Sequence, residues 1–440
     1  MYKISDNTAF ILKRLTEAGF DAYVVGGYVR DMLMKKVPHD EDITTSATPE
    51  QTEMLFSDFN VIETGLKHGT VTVIIDHIPY EITTFRTEST YSDGRHPDNV
   101  SFTTSIEEDL SRRDFTINSI AFNPEKGLVD PFGGRQDIEN FVLRCVGTAK
   151  ERFTEDSLRI LRGLRFASVL GFSIESETKK AMFECAPLLK NISYERIFVE
   201  IVKMLQGKNI RRILVDYIDV LSFVLPEIKD MKNFQQHNFH HIYDVLEHTA
   251  AVLENTPNIP HLRLAALFHD CGKTDCLSFD ENGVGHFYSH ATISTKKART
   301  ALARLRCDTA TKDKALKLIS IHDTPIEPTE RIIKRRLRSL GEDMFFYLIA
   351  LQRADNLAQN PEYFYRQKTF DEIEEIAKKI IAEEQCFSLK NLAVNGRDFY
   401  DMGIRGKDIG SALDMLLEAV IDGKVENKKA LLIQYYKKNV

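Results

Sequence analysis

At 440 residues, 43% hydrophobic and 28% charged, the chain has the composition of a globular protein of several domains, and 13 Pro and 22 Gly exclude collagen-like or low-complexity architecture. No apolar run approaches the roughly 18 residues that span a bilayer, and the opening MYKISDNTAF lacks a signal-peptide layout, so a cytoplasmic protein with no membrane partner is expected. The net charge of −7 excludes a molecule that binds polyanions over its whole surface, and six cysteines without a CxxC pair point to reduced thiols rather than a disulfide framework or a zinc-thiolate site.

A helical opening over Asp6 to Ala18 leads into short β-branched runs, DAYVVGG, GTVTVIID, PYEITTFR and NVSFTT, which predict a sheet with helices on it up to about residue 145. After the strand Tyr23-Val24-Val25 comes GGYVRD, Gly26 to Asp31. Two glycines at a strand-to-helix turn let backbone approach a ligand closely, and free amides at a helix start suit phosphate; a plain turn is the alternative. His39-Asp40-Glu41-Asp42-Ile43 follows as a strand-like segment in which Asp40 and Asp42 share a face. Like charges so placed repel unless a cation holds them, and hard oxygen ligands favour Mg²⁺, with Glu81 of PYEITTFR as a third carboxylate on a neighbouring strand. A solvent-facing acidic edge is the competing reading.

From Lys150 the apolar residues recur three and four apart, as in SLRILRGLRFASVL and RIFVEIVKML, so the rest is expected to be mostly α, with boundaries near 145, 215 and 365. Two basic clusters lie in this part: Lys296, Lys297, Arg299, Arg304 and Arg306, and the denser Arg331, Lys334, Arg335, Arg336 and Arg338. Either is a nucleic-acid surface or a solvated helix face.

GGYVRD, DEDITTSATPE, RRDFTINSIAFNP (Arg112 to Pro124) and EDSLRILRGLRFA (Glu155 to Ala167), in that order, resemble the successive motifs of the class II tRNA nucleotidyltransferases, the bacterial CCA-adding enzymes of the poly(A) polymerase family. NGRDFYDMGIRGKDIGSALDMLLEAV, Asn395 to Val420, resembles their C-terminal region. The resemblance implies an α+β chain: a small mixed-sheet head like that of DNA polymerase β (1–145), an elongated all-α neck (146–215), an HD domain (216–365) and a helical tail that binds tRNA (366–440). It implies that Asp40 and Asp42 hold two catalytic Mg²⁺ ions, to which Glu81 would be the third carboxylate from the strand reading above, that Gly26, Gly27, Arg30 and Arg113 contact the nucleotide, and that Arg162 and Arg165 are further nucleotide-binding positions. Substrates would be tRNA, CTP and ATP. Arg86 to Pro97 corresponds to the family's flexible loop and favours full CCA addition over A-only addition.

Asp156 and Arg159, three apart at the start of a helical segment, are expected on one helix face. A carboxylate only accepts and a guanidinium only donates. Side by side they match the amino donor and ring-nitrogen acceptor of cytosine and of adenine, while uracil and guanine would oppose them, at about 1–3 kcal/mol for each buried unsatisfied group. A surface salt bridge is the plain alternative. Leu161, Leu164 and Phe166 are expected to face the core.

Most of the thirteen histidines lie at or after residue 237. YDVLEHT, ALFHDCGK, GHFYSH, ISIHD and QRADNLAQ resemble an HD domain, which implies His248, His269, Asp270 and Asp355 as metal ligands and His290 and His322 as extra ligands of a binuclear site, for a transition metal or Mg²⁺. Phosphohydrolase activity there is one expectation, a scaffold the other. The rival readings of the whole chain are a poly(A) polymerase or A-adding enzyme of the same superfamily, and an HD phosphohydrolase with an RNA-binding head.

Overall fold

The computed structural model describes residues 4–38, 41–65, 69–88 and 100–440. The chain divides into two compact units, Met1–Lys229 and Asp230–Val440.

In the first unit α1 (Asp6–Glu17) starts at Ser5, whose hydroxyl accepts from the Thr8 amide, and buries Ile11, Leu12 and Leu15, one stripe of an amphipathic helix. Then follow β1 (Ala22–Val25), α2 (Gly27–Leu33), β2 (Ile43–Thr45), α3 (Pro49–Leu55), β3 (Asn60–Gly65), β4 (Thr70–Ile75) and β5 (Ile78–Thr84). A hairpin of β6 (Arg86–Glu88) and β7 (Val100–Phe102) leads to α4 (Ile106–Ser111), β8 (Ala121–Asn123), β9 (Gly127–Val129) and α5 (Gly134–Glu139). The strands form a seven-stranded sheet in the order β3-β4-β5-β2-β1-β8-β9. It is mixed, because β2 runs parallel to β5 (Ile43 opposite Ile82) while β1 is antiparallel to both its neighbours. The wholly buried strand β1, AYVV, lies inside the sheet between β2 and β8 and carries the chain straight into Gly26.

The helical part opens with β10 (Val142–Leu143), α6 (Ala149–Glu155), α7 (Leu158–Leu170), β11 (Ser173–Ile174), α8 (Ser176–Cys185), α9 (Tyr194–Leu205) and α10 (Ile210–Leu221). The expected boundary near 215 falls inside α10, which packs on α7 and α8, so this unit runs on to Lys229.

The second unit holds α11 (Val245–Asn255), α12 (Pro260–Phe268), a hairpin of β12 (Ser278–Phe279) and β13 (Gly285–His286), α13 (His290–Arg304), α14 (Thr309–Ile321), α15 (Glu330–Leu340), α16 (Glu342–Leu357), α17 (Arg366–Ala382), α18 (Gly396–Asp401), α19 (Lys407–Ile421) and α20 (Lys429–Asn439). The expected boundary near 365 is no packing boundary: α15 and α16 both contact α17, and α15 also contacts α19. Of the dense basic cluster, that last contact engages Arg335 and Arg338. Arg335 reaches Asp422 at 2.8 Å and Arg338 reaches Asp414 at 2.6 Å and Glu418 as well. In the other cluster Lys297 pairs with Asp275 at 2.6 Å.

Candidate active site and a second polar cluster

The head's site forms where β1 ends. Gly26 has φ of 68° and ψ of −127°, and a Cβ there would lie 3.1 Å from Nη1 of Arg113, so the guanidinium rests directly on the bare backbone of the turn. Arg113 is held by Asp109, fully buried and shared with Arg112. Burial alone would raise the Asp109 carboxyl; the Arg113 and Arg112 guanidiniums overcome it and keep it below its ordinary value.

Asp42 borders Gly26, since its carbonyl accepts from the Val25 amide at 3.0 Å. Extending the β2–β5 register by one residue sets Asp42 beside Glu81, and both are exposed, as alternation with the buried Ile43 and Ile82 requires. They line an open cleft of about 670 Å³ with Ser5, Pro38, Glu41 and Tyr80. Glu41 is engaged at the edge of the cleft: its carboxylate accepts from Ser5 Oγ at 2.5 Å and from Thr8 Oγ1, tying the acidic segment to the start of α1. Burial, and then Glu41, push the Tyr28 hydroxyl up to about 12. Asp40 lies outside the described residues, as do residues 89–97 of the expected flexible loop. All the oxygen donors present suit Mg²⁺.

A relay of polar groups joins this corner to α7. Arg30 Nη1 donates to Asn118 Oδ1 at 2.8 Å, Asn118 Nδ2 donates to Asp114 Oδ1 at 3.1 Å, and Asp114 Oδ2 accepts from Arg162 Nε at 2.8 Å and Nη2 at 2.6 Å. Arg162 is thus engaged by a buried carboxylate, and Arg165 by Glu200 at 3.2 Å. Phe166 departs from expectation. It is half-buried, and the guanidiniums of Arg165, Arg30 and Arg162 lie 4.3, 5.4 and 5.6 Å from its ring centroid, so it is a plate on which three arginines gather rather than a core residue.

Asp156 and Arg159 do not share a helix face. The helix breaks between them: Asp156 is extended (φ −137°, ψ 101°) and its Oδ1 accepts from the Leu158 amide at 3.0 Å, the local capping bond that Asp prefers to helix. Its other oxygen accepts from Arg196 at 2.8 Å, while Arg159, in the first turn of α7, donates to Glu155 at 2.8 Å and to the Arg112 carbonyl at 3.2 Å. Arg196 and Glu155 were not legible as partners, being set by the packing of α9 and by the helix break.

In the second unit all six expected ligands converge. His248 comes from α11, His269 and Asp270 from the end of α12, His290 from the start of α13, His322 from the end of α14 and Asp355 from α16. His248 Nε2 lies 2.9 Å from Asp355 Oδ1 and 3.3 Å from Asp270 Oδ2, and His269 Nε2 3.2 Å from Asp270 Oδ2. The other Asp270 oxygen is 3.4 Å from His290 Nε2 and 3.6 Å from His322 Nε2. Asp270 therefore belongs to two groups, His248-His269-Asp270-Asp355 and Asp270-His290-His322, each compact enough to hold an ion. The Nδ1 atoms of His269, His290 and His322 each meet a backbone carbonyl at 2.8 Å, which aims Nε2 inward. Burial would lower His269, yet Asp270 and then Asp355 push it up to about 10: the buried carboxylates demand positive charge, which protons or a cation can supply. Its Nε2 is buried without a well-aligned hydrogen bond among the described residues.

Comparison with known families agrees with this geometry. A model of the poly A polymerase head domain matches residues 22–144, one of an RNA- and SrmB-binding site of polymerase A matches 171–232, and one of domain 2 of tRNA nucleotidyltransferases matches 281–436. The CCA-adding enzyme of Enterococcus faecalis is 32% identical over 97% of this chain and 94% of its own length, and that of Ligilactobacillus salivarius is 33% identical over 97% and 95%. The crystal structure of the Bacillus stearothermophilus CCA-adding enzyme in complex with CTP superposes with a TM-score of 0.75 at 30% identity, covering 98% of this chain and 96% of that one. Identity at this level across nearly whole chains decides the matter: the chain belongs to the CCA-adding enzymes and is a tRNA nucleotidyltransferase.

Proposed function

We propose that the protein adds C, C and A in turn to the 3′ end of tRNA, taking CTP and ATP and releasing pyrophosphate. The observation that carries this reading is the meeting, at one end of the sheet, of the Asp42–Glu81 pair with the Gly26–Arg113 turn. In this reading Asp40 and Asp42, with Glu81, hold two Mg²⁺ ions. When bound, these supply an acidified 3′ hydroxyl and neutralise the charge of the departing pyrophosphate. The chain's own residues bind and orient. Gly26 and Gly27 leave backbone open to phosphate, Arg30 and Arg113 bring positive charge to it, and Arg162 and Arg165 complete the basic wall around Phe166. Asp156 and Arg159 read the base edge, each exchanging its present partner, Arg196 or Glu155, for the base. Residues 1–145 form the catalytic part, 146–229 the neck, and the tail beyond 366 helps hold tRNA in the cytoplasm of the cell.

Sequencing the 3′ ends made from tRNA lacking CCA tests this reading. CTP alone is expected to give two additions and stop, and CTP with ATP to give CCA; A-addition only, or an untemplated A tract, refutes it in favour of the A-adding or poly(A) reading. Asp42→Ala is expected to abolish incorporation while tRNA binding persists.

A second reading is favoured by the shared Asp270: the six-residue cluster is a binuclear metal site, for a transition metal or Mg²⁺, with phosphohydrolase activity. Nitrogen and oxygen donors in two groups around one carboxylate fit such a pair, and a metal-bound hydroxide is the chemistry it would supply.

A further inference from the structure

We infer that Phe166 is a positioning residue for the nucleotide's triphosphate: its ring gathers Arg30, Arg162 and Arg165 into one cationic surface before the nucleotide arrives. The inference rests on the reading of these arginines as nucleotide-binding and adds to it the group that holds them together.

Three guanidiniums around one ring repel one another, so each needs a reason to stay. Carboxylates give part of it. Arg30 Nε donates to Asp31 Oδ1 at 2.9 Å, Arg162 is held by Asp114 and Arg165 by Glu200. These acids come from three places, α2, the segment before β8, and α9. Among the described residues none of them pairs with more than one of the three arginines. What all three share is the ring, whose centroid lies 4.3 to 5.6 Å from their guanidinium carbons, inside the about 6 Å over which a ring quadrupole attracts a cation. The ring is itself fixed. Phe166 meets Phe115 in a T-shaped contact, 5.8 Å between centroids, and Phe115 is wholly buried.

Long arginine side chains lose rotamer freedom when a ligand orders them, and a surface that orders them beforehand removes that cost from binding. A guanidinium can give its face to a ring while its N–H edge remains for an anion, so the two contacts do not compete. Nη1 of Arg162 and Nη2 of Arg165 keep their donors without a hydrogen bond among the described residues. Three positive charges on one wall match a polyanion, which is the part that CTP and ATP have in common, and not a neutral base. The role assigned to Phe166 is therefore independent of which base is being added.

The test uses the full chain with mono-, di- and trifluorinated phenylalanine at position 166, which drain the ring's negative face while nearly keeping its shape. KM for CTP on tRNA lacking CCA is expected to rise with each fluorine, by about fivefold at three, with kcat nearly unchanged. KM for ATP on tRNA ending in CC is expected to rise by the same factor. Inhibition by inorganic tripolyphosphate, which has no base, is expected to weaken in parallel, while the thermal transition stays in place across the series. Phe166→Leu, which keeps apolar bulk without a ring, is expected to lose about tenfold in KM, and Phe166→Tyr to stay near wild type. A KM that is flat across the fluorinated series, or a loss that differs between CTP and ATP, overturns the proposal. Arg30→Gln tests the underlying reading. Tripolyphosphate inhibition unchanged in that variant rejects the arginine wall itself; inhibition weakened there but not in the fluorinated series rejects only the part assigned to Phe166.

Discussion

Removing the Arg162 guanidinium tests the relay between α7 and the turn. Arg162→Met keeps the aliphatic stem and leaves the Asp114 carboxylate, 8% exposed, without its bidentate partner. Breaking a buried pair costs about 3–5 kcal/mol. Asp114 retains bonds from the Phe115 amide at 2.8 Å and from Asn118, so the low end, about 3 kcal/mol, is expected. For a cooperative unit of about 200 residues, at about 2–4 °C per kcal/mol, the transition of the first unit falls by roughly 6–12 °C in scanning calorimetry. Asp114→Asn/Arg162→Met, which leaves no buried charge, is expected to regain more than half of the loss. The pH dependence has a definite sign. Burial alone would raise the Asp114 carboxyl, but Arg162 and Asn118 hold it below its ordinary value in the fold. Its contribution is therefore complete above the unfolded-state value near pH ~4 and fades as pH falls through the lower folded one. The gap between wild type and Asp114→Asn is expected to be flat above about pH 5 and to close below about pH 4. An Arg162→Met transition within about 2 °C of wild type, or a double variant as unstable as the single, refutes the argument.

Gly26→Ala places a methyl 3.1 Å from Arg113 in a backbone region that alanine rarely adopts, so nucleotide affinity is expected to drop by about tenfold or more, measured as a rise in KM for CTP; unchanged KM would remove Gly26 from the site. Arg338→Ala breaks a half-exposed network with Asp414 and Glu418 and is expected to cost only about 1 kcal/mol, detected as a lower urea midpoint of the second unit whose shift shrinks in 1 M salt.

What could be read from sequence was whatever depended on short periods. Alternation set Asp42 opposite the buried Ile43, and the PYEITTFR strand was expected as a neighbour; β5 does lie beside β2, in parallel. The second cluster was legible through the resemblance of five short segments to an HD domain, which named the six residues that converge. Other features depend on partners far along the chain. Glu41 stands between two aspartates in the sequence, and only the approach of Ser5 and Thr8 shows where its charge is engaged. The Asp156–Arg159 spacing suggested a shared face because propensity says helix, whereas a side chain that caps its own neighbour wins locally. Phe166 looked like core by its place in an apolar stripe; three arginines from two elements claimed it. The shared role of Asp270 follows from the convergence of five helices and has no signature in one dimension.

The charge complementarity of α15 and α19 also constrains how the gene can be cut. Arginines at 335 and 338 and acids at 414, 418 and 422 form one electrostatic seam across more than seventy residues of chain. A fragment ending near 365 would bare a strip of like-charged side chains, and one beginning there would carry the opposite strip. Grafts or truncations meant to isolate the terminal helices therefore have to carry α15 with them, or neutralise both edges of the seam together.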